Sequence, residues 1–222
     1  MRVLIFGSSG TLGESIFQFF EANDWDVVGT SRQIGNEETV KIDADFEKHI
    51  KKFGTFDAIV FAQGKNINDS INDTSDLHEI LEANVTFISS MVEKLLRSGV
   101  FKTKVRITII GSIWQDISKV NKFSYSVSKA ALHGMMNSMV ADLSPSGISI
   151  NIVAPGVIDT PMTRANLTSD QIRRIISETP TGNLVAVRDV ASLVYWLSCS
   201  FSDGINGQTI KIDNGWSNVR II

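Results

Sequence analysis

The hydrophobic positions of this chain alternate between short apolar runs and longer runs in which apolar residues recur every three or four positions. The short runs, many of them β-branched, predict strands and occur at residues 3–6, 26–30, 38–42, 56–61, 105–110, 148–153 and 208–212. The longer runs predict helices and occur at residues 16–20, 46–53, 75–97, 124–143 and 187–199, with one short helix expected within 160–186. Strands that alternate with helices in this way predict an α/β fold with a mostly parallel sheet covered on both faces.

A glycine-rich turn joins the first predicted strand to the first predicted helix. Glycine lets a pyrophosphate approach without an obstructing Cβ atom, and the backbone amides of a helix N-terminus attract an anion. The spacing alone also fits an ordinary turn, but its position directly after a buried N-terminal strand is where dinucleotide folds bind phosphate. The cofactor contacts expected in this turn are Gly7, Ser9, Gly10, Thr11, Leu12 and Gly13.

The second predicted strand ends in Ser31 and Arg32, about 20 residues beyond the glycine turn, where dinucleotide folds select the adenosine ribose. No acidic residue that would bind a free 2′-hydroxyl is found there. Arg32 instead suits a 2′-phosphate, so NADP(H) is favoured over NAD(H). The alternative is that Arg32 is a solvated surface residue.

Further candidates follow later strands, at the edge of the sheet where ligands bind in such folds. Asp43 follows the third strand and could simply cap the next helix. The additional cofactor contacts expected along this edge are Ala62, Gln63, Gly64, Pro155, Gly156, Ile158 and Thr160.

Tyr125 and Lys129 stand one helical turn apart on the same face of the predicted helix at 124–143. A phenol ionises near pH ~10 in water, so a tyrosine that exchanges protons near neutrality needs a nearby positive charge. Lys129 would supply that charge, although such a pair is also common on helix surfaces. Ser112 follows the fifth strand and can reach a bound carbonyl group. Asn84, on or near the apolar side of its helix, either ties neighbouring backbone together or takes part in catalysis.

Composition narrows the classes of function. The 222 residues contain no linker or repeat, so one domain covering 1–222 is expected. Twenty-four acidic and 21 basic residues give a net charge of -3, which disfavours a nucleic-acid partner. One cysteine and three scattered histidines make no recognisable metal site. No apolar run is long enough to span a membrane or to form a signal peptide, so a cytoplasmic protein without a membrane partner is expected.

Several stretches together resemble the short-chain dehydrogenase/reductase family, in particular compact members such as 3-oxoacyl-carrier-protein reductases. These stretches occur in the order and spacing of that family: Ser112, Tyr125 with Lys129, residues 148–156, residues 160–162 and residues 207–215. The resemblance implies a three-layer Rossmann-like fold with a seven-stranded sheet and NADP(H) across its carboxyl edge. It also implies an oxidoreductase that interconverts carbonyl and alcohol groups by hydride transfer.

The resemblance also implies roles for single residues. Tyr125 would be the general acid/base and Ser112 would orient the carbonyl. Lys129 would lower the pKa of Tyr125 and hold the nicotinamide ribose, while Asn84 would position a water molecule. The chain departs from the family pattern in two places. Thr11 replaces the second glycine of the turn, so that Gly10 takes over the flexible position, and residues 61–64 lack the asparagine that braces the central strands in the family.

Two alternatives remain at this stage. A nucleotide sensor or interaction protein could keep the fold without using it for chemistry. An epimerase or dehydratase acting on nucleotide sugars would be expected to carry an additional C-terminal substrate domain. The expected walls of the substrate pocket are Ile113, Trp114, Val157, Met162 and Trp216, and Arg164 either pairs with an acidic substrate group or is solvated. The helices at 75–97 and 124–143 are expected to form a homodimer or homotetramer.

Overall fold

The computed structural model describes residues 1–32 and 38–219, and seven strands form a single sheet. The strands are β1 (Arg2–Phe6), β2 (Asp26–Ser31), β3 (Thr39–Lys41), β4 (Phe56–Phe61), β5 (Phe101–Ile110), β6 (Ile148–Pro155) and β7 (Thr209–Ile212). Their order across the sheet is β3-β2-β1-β4-β5-β6-β7, and each neighbouring pair is parallel. The predicted α/β fold and its seven strands are confirmed, and β5 begins four residues earlier than expected.

The α-helices alternate with the strands and cover both faces of the sheet. They are α1 (Thr11–Glu21), α2 (Phe46–Lys51), α3 (Leu77–Leu81), α4 (Phe87–Ser98), α5 (Phe123–Leu143), α6 (Pro161–Asn166), α7 (Ser169–Glu178) and α8 (Val187–Ser198). Between them lie two apolar cores, one against α2, α4 and α5 and the other against α1 and α8. No helix within residues 1–32 and 38–219 is long and apolar enough to cross a membrane.

The segment between β6 and β7 contains two helices before α8, so the prediction of one short helix there is wrong. Thr160 caps the first turn of α6 through its hydroxyl, and Pro161 occupies a position where a helix needs no backbone N–H donor. Thr168 and Gln171 form a reciprocal capping box that starts α7. Both helix starts are therefore encoded by local side chains.

The predicted helix at 75–97 is not continuous. A π-helical segment, Glu82–Thr86, separates α3 from α4, and Asn84 lies in its centre. A π-helical turn widens the helix by one residue and is frequently found at functional sites. This irregularity allows the buried Asn84 side chain to bond to groups outside its own helix.

The chain order of the strands reverses between β1 and β4, which are neighbours in the sheet. The chain runs outward from β1 to β3, crosses to the other side of β1, and continues outward from β4 to β7. In parallel sheets such a reversal opens a crevice at the carboxyl ends of the strands. The glycine turn after β1, the turn after β4, Ser112 after β5 and Gly156 after β6 all lie along this edge.

Candidate active site

Three side chains from two elements meet at the carboxyl edge of the sheet. Ser112, two residues after the end of β5, lies close enough to the Tyr125 side chain on α5 to lower the pKa of its phenol. The Nζ atom of Lys129 lies 5.7 Å from the centroid of the Tyr125 ring. Ser112 also accepts a 3.3 Å hydrogen bond from the backbone N–H of Trp114, which fixes the direction of its hydroxyl group. The structure thus brings Ser112, which follows β5, to the pair formed by Tyr125 and Lys129 on α5.

Lys129 is almost completely buried, with 4% of its surface exposed. Its Nζ atom donates a 2.9 Å hydrogen bond to the carbonyl oxygen of Ile110. Burial disfavours the charged form and lowers the pKa of Lys129 to about 8. The ammonium group therefore remains charged at neutral pH and has further N–H donors available for a ligand.

The pKa of Tyr125 departs from expectation. Burial of the phenol raises its pKa above 10.0, and the hydrogen bond with Ser112 acts in the opposite direction with a smaller effect. The expected lowering of this pKa by Lys129 is not found, because burial has the larger effect and the Lys129 ammonium group donates to the Ile110 carbonyl. Tyr125 is therefore protonated at neutral pH.

Asn84 is 1% exposed and all of its amide hydrogens are bonded. Its Nδ2 atom donates to the carbonyl oxygen of Lys65 and to the hydroxyl of Ser128, both at 2.9 Å, and its Oδ1 atom accepts the Lys65 N–H at 2.7 Å. Ser128 in turn donates to the carbonyl oxygen of Tyr125 at 2.8 Å. Asn84 therefore ties neighbouring backbone together, which is one of the two roles considered for it from the sequence. Its Oδ1 atom keeps a second lone pair that can accept another hydrogen bond.

Close backbone approaches require glycine at two positions of the turn after β1. A Cβ atom on Gly13 would lie 2.0 Å from the carbonyl oxygen of Gly7, and one on Gly7 would lie 2.6 Å from the backbone nitrogen of Gln63. Gly10 precedes α1 without a side-chain cap, and a Cβ atom there would contact only the Gly7 oxygen, at 3.6 Å. The left-handed conformation is found at Gly7, with φ +79°, and the expectation that Gly10 takes the flexible position is wrong.

The other cofactor candidates near this turn differ in exposure. Ser9, Thr11 and Arg32 are exposed, whereas Leu12 packs partly against the core beside α8. The backbone N–H of Thr30 donates to the Ser8 hydroxyl at 3.3 Å, which connects the turn to the end of β2. Ser31 and Arg32 are consequently held beside the glycine turn. Residues 33–37, which follow Arg32, lie outside the described residues.

Asp43 has local partners at the end of β3. Its carboxylate accepts the backbone N–H of Asp45 at 3.0 Å and pairs with Lys41 at 3.2 Å. Asp43 does not cap the next helix as the sequence allowed, because Asp45 is the N-cap residue of α2; Asp43 stabilises the turn before it.

The turn after β4 contains a polar group in need of a partner. Both the nitrogen and the oxygen of the Gln63 side chain are buried without a hydrogen-bond partner among the described residues. The Ala62 N–H donates to the Phe6 carbonyl at 2.9 Å, and a Cβ atom on Gly64 would lie 3.7 Å from Lys129 Nζ. Orphaned buried amide groups at this edge fit a polar ligand such as a nicotinamide nucleotide.

The bracing asparagine of the family is replaced by an aromatic contact. Phe61, the last residue of β4, stacks on Phe6 of the neighbouring strand with a centroid distance of 4.6 Å. Such stacking supplies apolar area and orientation in place of side-chain hydrogen bonds. The central strands are therefore held together by packing at this point.

The segment after β6 returns along the same edge. Gly156 donates its N–H to the Ile212 carbonyl at 3.0 Å, and a Cβ atom there would lie 2.8 Å from the Asp213 Cβ atom. Ile158 bridges to Val185, and the Thr160 hydroxyl accepts the N–H of Thr163 at 3.1 Å. Pro155 ends β6, and Gly156, Ile158 and Thr160 follow it, so all four come at the carboxyl end of the strand that pairs with β5.

The expected pocket walls are only partly found. Trp114 packs edge-on against Trp216 with a centroid distance of 5.8 Å, and Val157 lines a small cleft with Trp216. Ile113 is fully buried, so it does not form a wall of an open pocket. The side chain of Met162 lies outside the described part of the structure.

Two residues of this site were missed by sequence analysis. The Nζ atom of Lys122 lies 5.3 Å from the centroid of the Tyr125 ring, which is slightly closer than that of Lys129. Ser128 connects Asn84 to the backbone of Tyr125. Lys122 is the non-helical residue directly before α5, so helical spacing gave no signal for it.

Comparison with known proteins gives a consistent result. A family model described as enoyl-(acyl carrier protein) reductase matches residues 21–217. The 3-oxoacyl-[acyl-carrier-protein] reductase FabG of Escherichia coli (strain K12) is 26% identical, over 96% of this chain and 95% of that protein. The uncharacterized oxidoreductase YmfI of Bacillus subtilis (strain 168) is also 26% identical, over 96% of this chain and 97% of its own length.

Solved structures share the fold. A gluconate 5-dehydrogenase from Burkholderia cenocepacia J2315, in complex with NADP and tartrate, has a TM-score of 0.89 at 22% identity and covers 98% of this chain and 95% of its own. A short chain dehydrogenase family protein from Francisella tularensis subsp. tularensis SCHU S4 has a TM-score of 0.84 at 24% identity, over 98% of this chain and 99% of its own. Because the family model covers most of the sequence, the chain belongs to the short-chain dehydrogenase/reductase family of oxidoreductases.

Proposed function

We propose that this protein is an NADP(H)-dependent reductase that converts a carbonyl group to an alcohol, or the reverse, with Tyr125 as general acid/base. The observation that carries the proposal is the meeting of Ser112, Tyr125 and Lys129 at the carboxyl edge of the sheet. A protein that only senses nucleotides needs a binding crevice but has no use for this combination of hydroxyl, phenol and ammonium groups. The sensor function is therefore the less favoured alternative.

Tyr125 is the proton donor in the proposed reduction. When bound, NADPH supplies a hydride to the carbonyl carbon of the substrate. The carbonyl oxygen then gains negative charge and takes the phenolic proton. Because burial raises the pKa of Tyr125, the phenol stays protonated at neutral pH, which suits the direction of reduction.

Ser112 and Lys129 would act on either side of that proton transfer. The Ser112 hydroxyl is held by Tyr125 and by the Trp114 N–H, so it is oriented to contact the substrate oxygen. Lys129 uses one N–H donor on the Ile110 carbonyl and keeps others for the hydroxyl groups of the nicotinamide ribose. Its charge also favours the phenolate once the proton has left. Asn84 would hold the backbone around Tyr125 and, through the free lone pair of Oδ1, a water molecule of the proton relay.

The preference for NADP(H) over NAD(H) is supported by Arg32. This exposed cation, next to the Ser31 hydroxyl, suits the 2′-phosphate of NADP(H), and no acidic residue there favours a free ribose hydroxyl. A solved protein of similar fold, the gluconate 5-dehydrogenase, is in complex with NADP. The glycine turn would hold the pyrophosphate, and Gln63 would bond to the nicotinamide side of the cofactor.

The test is a screen of ketones, acyl thioesters and keto-sugars with NADPH and NADH, in which the loss of cofactor absorbance measures turnover. With the best substrate, Tyr125→Phe should bind NADPH normally and lose turnover by roughly 1000-fold. Tyr195→Phe is the matched control, because Tyr195 is the other tyrosine of the chain and packs in an aromatic cluster against Phe20. Full activity of Tyr125→Phe would refute the role of Tyr125, and tight NADPH binding without any turnover would favour the sensor.

We also propose a homodimer or homotetramer and a cytoplasmic location. Leu96 at the end of α4 and Val127 on α5 are 41% and 37% exposed, which gives both predicted contact helices apolar surface. Light scattering during gel filtration tests the assembly, and a monomeric mass would contradict it. Met136 is fully buried in the core, so the methionines of α5 serve packing at least in part.

A further inference from the structure

Two lysines at the active site, Lys119 and Lys122, form no salt bridge within the described part of the chain. We propose that they bind an acidic group of the substrate, so that the substrate is a short oxo acid or hydroxy acid whose reacting carbon lies close to that group. This inference rests on the proposed reductase function and specifies its substrate class. Neither lysine forms a salt bridge with any residue in the described ranges.

Lys122 is the inner of the two cations. It is 8% exposed, and its Nζ atom lies 5.3 Å from the centroid of the Tyr125 ring. The Nζ atom donates to Asn66 Oδ1 at 2.5 Å and to the Ile67 carbonyl at 3.3 Å. Both acceptors are neutral, so the charge of Lys122 is held in place but not compensated. An ammonium group has three donors, which leaves one for an anion.

Lys119 is the outer cation and lies over the Trp114 ring, 5.6 Å from its centroid. The two lysines repel each other: burial and then the charge of Lys119 lower the pKa of Lys122 to about 8, while Asp69 acts in the opposite direction. Asp69 forms no salt bridge with Lys122: its Oδ1 atom accepts the N–H of Ser124 at 3.0 Å, and its Oδ2 atom is buried without a hydrogen-bond partner among the described residues. An anion bound between the lysines would relieve their repulsion and restore the full charge of Lys122.

Other cations of the loops around the site are already neutralised. Lys65 pairs with Glu79 and Lys211 pairs with Asp116. Arg164, which the sequence offered as a partner for an acidic substrate, instead makes two 2.8 Å bonds to the carboxylate of Asp159. Lys129 is bonded to backbone and is needed beside Tyr125. Lys119 and Lys122 are therefore the cations that we expect an acidic group of the substrate to contact.

The distances limit the length of the substrate. The carbonyl oxygen must reach Ser112 and Tyr125, while the acidic group bonds to Lys122, whose Nζ atom is 5.3 Å from the Tyr125 ring. Lys122 and the proton donor therefore belong to one small region, so we infer a short molecule that carries both the carboxylate and the carbonyl group. Trp114 and Trp216 offer apolar contact to the remainder of the molecule.

The test compares acetoacetate with its neutral methyl ester in the NADPH-dependent assay. Wild-type protein should favour the acid. Lys122→Met should lose about 10- to 100-fold in kcat/KM for acetoacetate, mainly through KM, and should reduce the ester as wild type does. Lys122→Arg should retain the preference for the acid, because it keeps the charge. Lys102→Met is the control, since it removes one charge from the opposite end of the sheet, where Lys102 pairs with Asp57.

Asn66→Ala separates charge from structure. It removes the same 2.5 Å contact of Lys122 but leaves the ammonium group in place, so the preference for the acid should survive. An equal loss for acid and ester in Lys122→Met, or a wild-type preference for the ester, would overturn the proposal and leave the reductase function intact.

A measurement of equilibrium binding tests the acidic subsite independently of catalytic turnover. Acetoacetate is titrated into protein that contains NADP⁺ while tryptophan fluorescence is recorded, and Lys122→Met should bind about 10-fold more weakly than wild type. Absence of acetoacetate binding to wild type, or equal binding to both proteins, refutes the acidic subsite. Absence of NADPH oxidation with every carbonyl tested refutes the reductase function alone.

Discussion

The side-chain amide of Asn84 donates a 2.9 Å hydrogen bond to the hydroxyl of Ser128. That hydroxyl donates in turn to the backbone carbonyl of Tyr125 at 2.8 Å, and Asn84 also bonds to both backbone groups of Lys65. The turn after β4 and the first turns of α5 are therefore tied to the π-helical segment. The position of the proposed catalytic phenol depends on this connection.

We expect Ser128→Ala to loosen Tyr125. The substitution leaves one N–H of the buried Asn84 amide without an acceptor, which should lower the free energy of unfolding by about 1–3 kcal/mol. Because Tyr125 keeps its phenol, turnover should fall by about 10-fold and not by the larger factor expected for Tyr125→Phe. Urea unfolding and steady-state kinetics measure the two effects.

Ser124→Ala is the matched control on the same helix. The Ser124 hydroxyl is buried without a hydrogen-bond partner among the described residues, so its removal should leave stability unchanged or slightly increased. Equal losses in the Ser124 and Ser128 variants would show that the bond to Asn84 has no special importance.

The fold could be predicted because its signals are local. Each strand can be identified as a short apolar or β-branched run. The alternation of strands and helices along the chain indicates a parallel sheet. The glycine turn is equally local: Gly7 and Gly13 approach each other across a few residues of backbone. The π-helical segment at Glu82–Thr86 could not be predicted, because it depends on the Asn84 side chain finding Lys65 and Ser128 in other elements.

The candidate site could be predicted only for those residues whose spacing along the chain indicates their position in the fold. Ser112 was identified because it follows the end of a strand, and Tyr125 and Lys129 because they are one helical turn apart. The structure brings the three residues together. The raised pKa of Tyr125 could not be anticipated, since burial is a property of the packed chain. Lys122 was missed because its contact with Asn66 is made across a long loop after β4.

The buried ammonium group of Lys129 should destabilise the fold. Its pKa is lowered from 10.5 to about 8 by burial, so the unfolded chain binds the proton more tightly. The penalty is fully present below pH 8, about 3 kcal/mol for a difference of about 2.5 units, and it disappears as pH rises from about 8 towards 10.5.

Lys129→Met should therefore be more stable than wild type at pH 7. Loss of the hydrogen bond to Ile110 reduces the gain to about 2 kcal/mol, and the advantage should vanish near pH ~10, where the remaining penalty equals the lost hydrogen bond. Denaturant unfolding at several pH values measures this, with the exposed Lys48→Met as control. A Lys129→Met protein less stable than wild type at pH 7 would contradict the argument.

Two glycine substitutions can separate the effect of the glycine turn on folding from its proposed effect on phosphate binding. A Cβ atom on Gly13 would collide with the Gly7 carbonyl at 2.0 Å, so Gly13→Ala should destabilise the whole protein by several kcal/mol, of the order seen for overpacked cores. Gly10 has φ −84° and open space beside it, so Gly10→Ala should fold normally. If phosphate lies against Gly10, Gly10→Ala should weaken NADPH binding by about 10-fold or more, as measured by calorimetry. Unchanged binding in a folded Gly10→Ala protein would place the phosphate elsewhere.

Arg32 provides the test of cofactor choice. This exposed residue follows β2 beside the glycine turn, where a 2′-phosphate would receive its charge-assisted hydrogen bonds. Arg32→Glu replaces that attraction with repulsion and offers a carboxylate to a free ribose hydroxyl, so KM for NADPH should rise by about 10- to 100-fold while KM for NADH stays equal or falls. Arg97→Glu, on the exposed face of α4, is the control for the change in net charge. The prediction is checked by steady-state kinetics with both cofactors, and a parallel rise in both KM values would show that Arg32 supports the turn without selecting the phosphate.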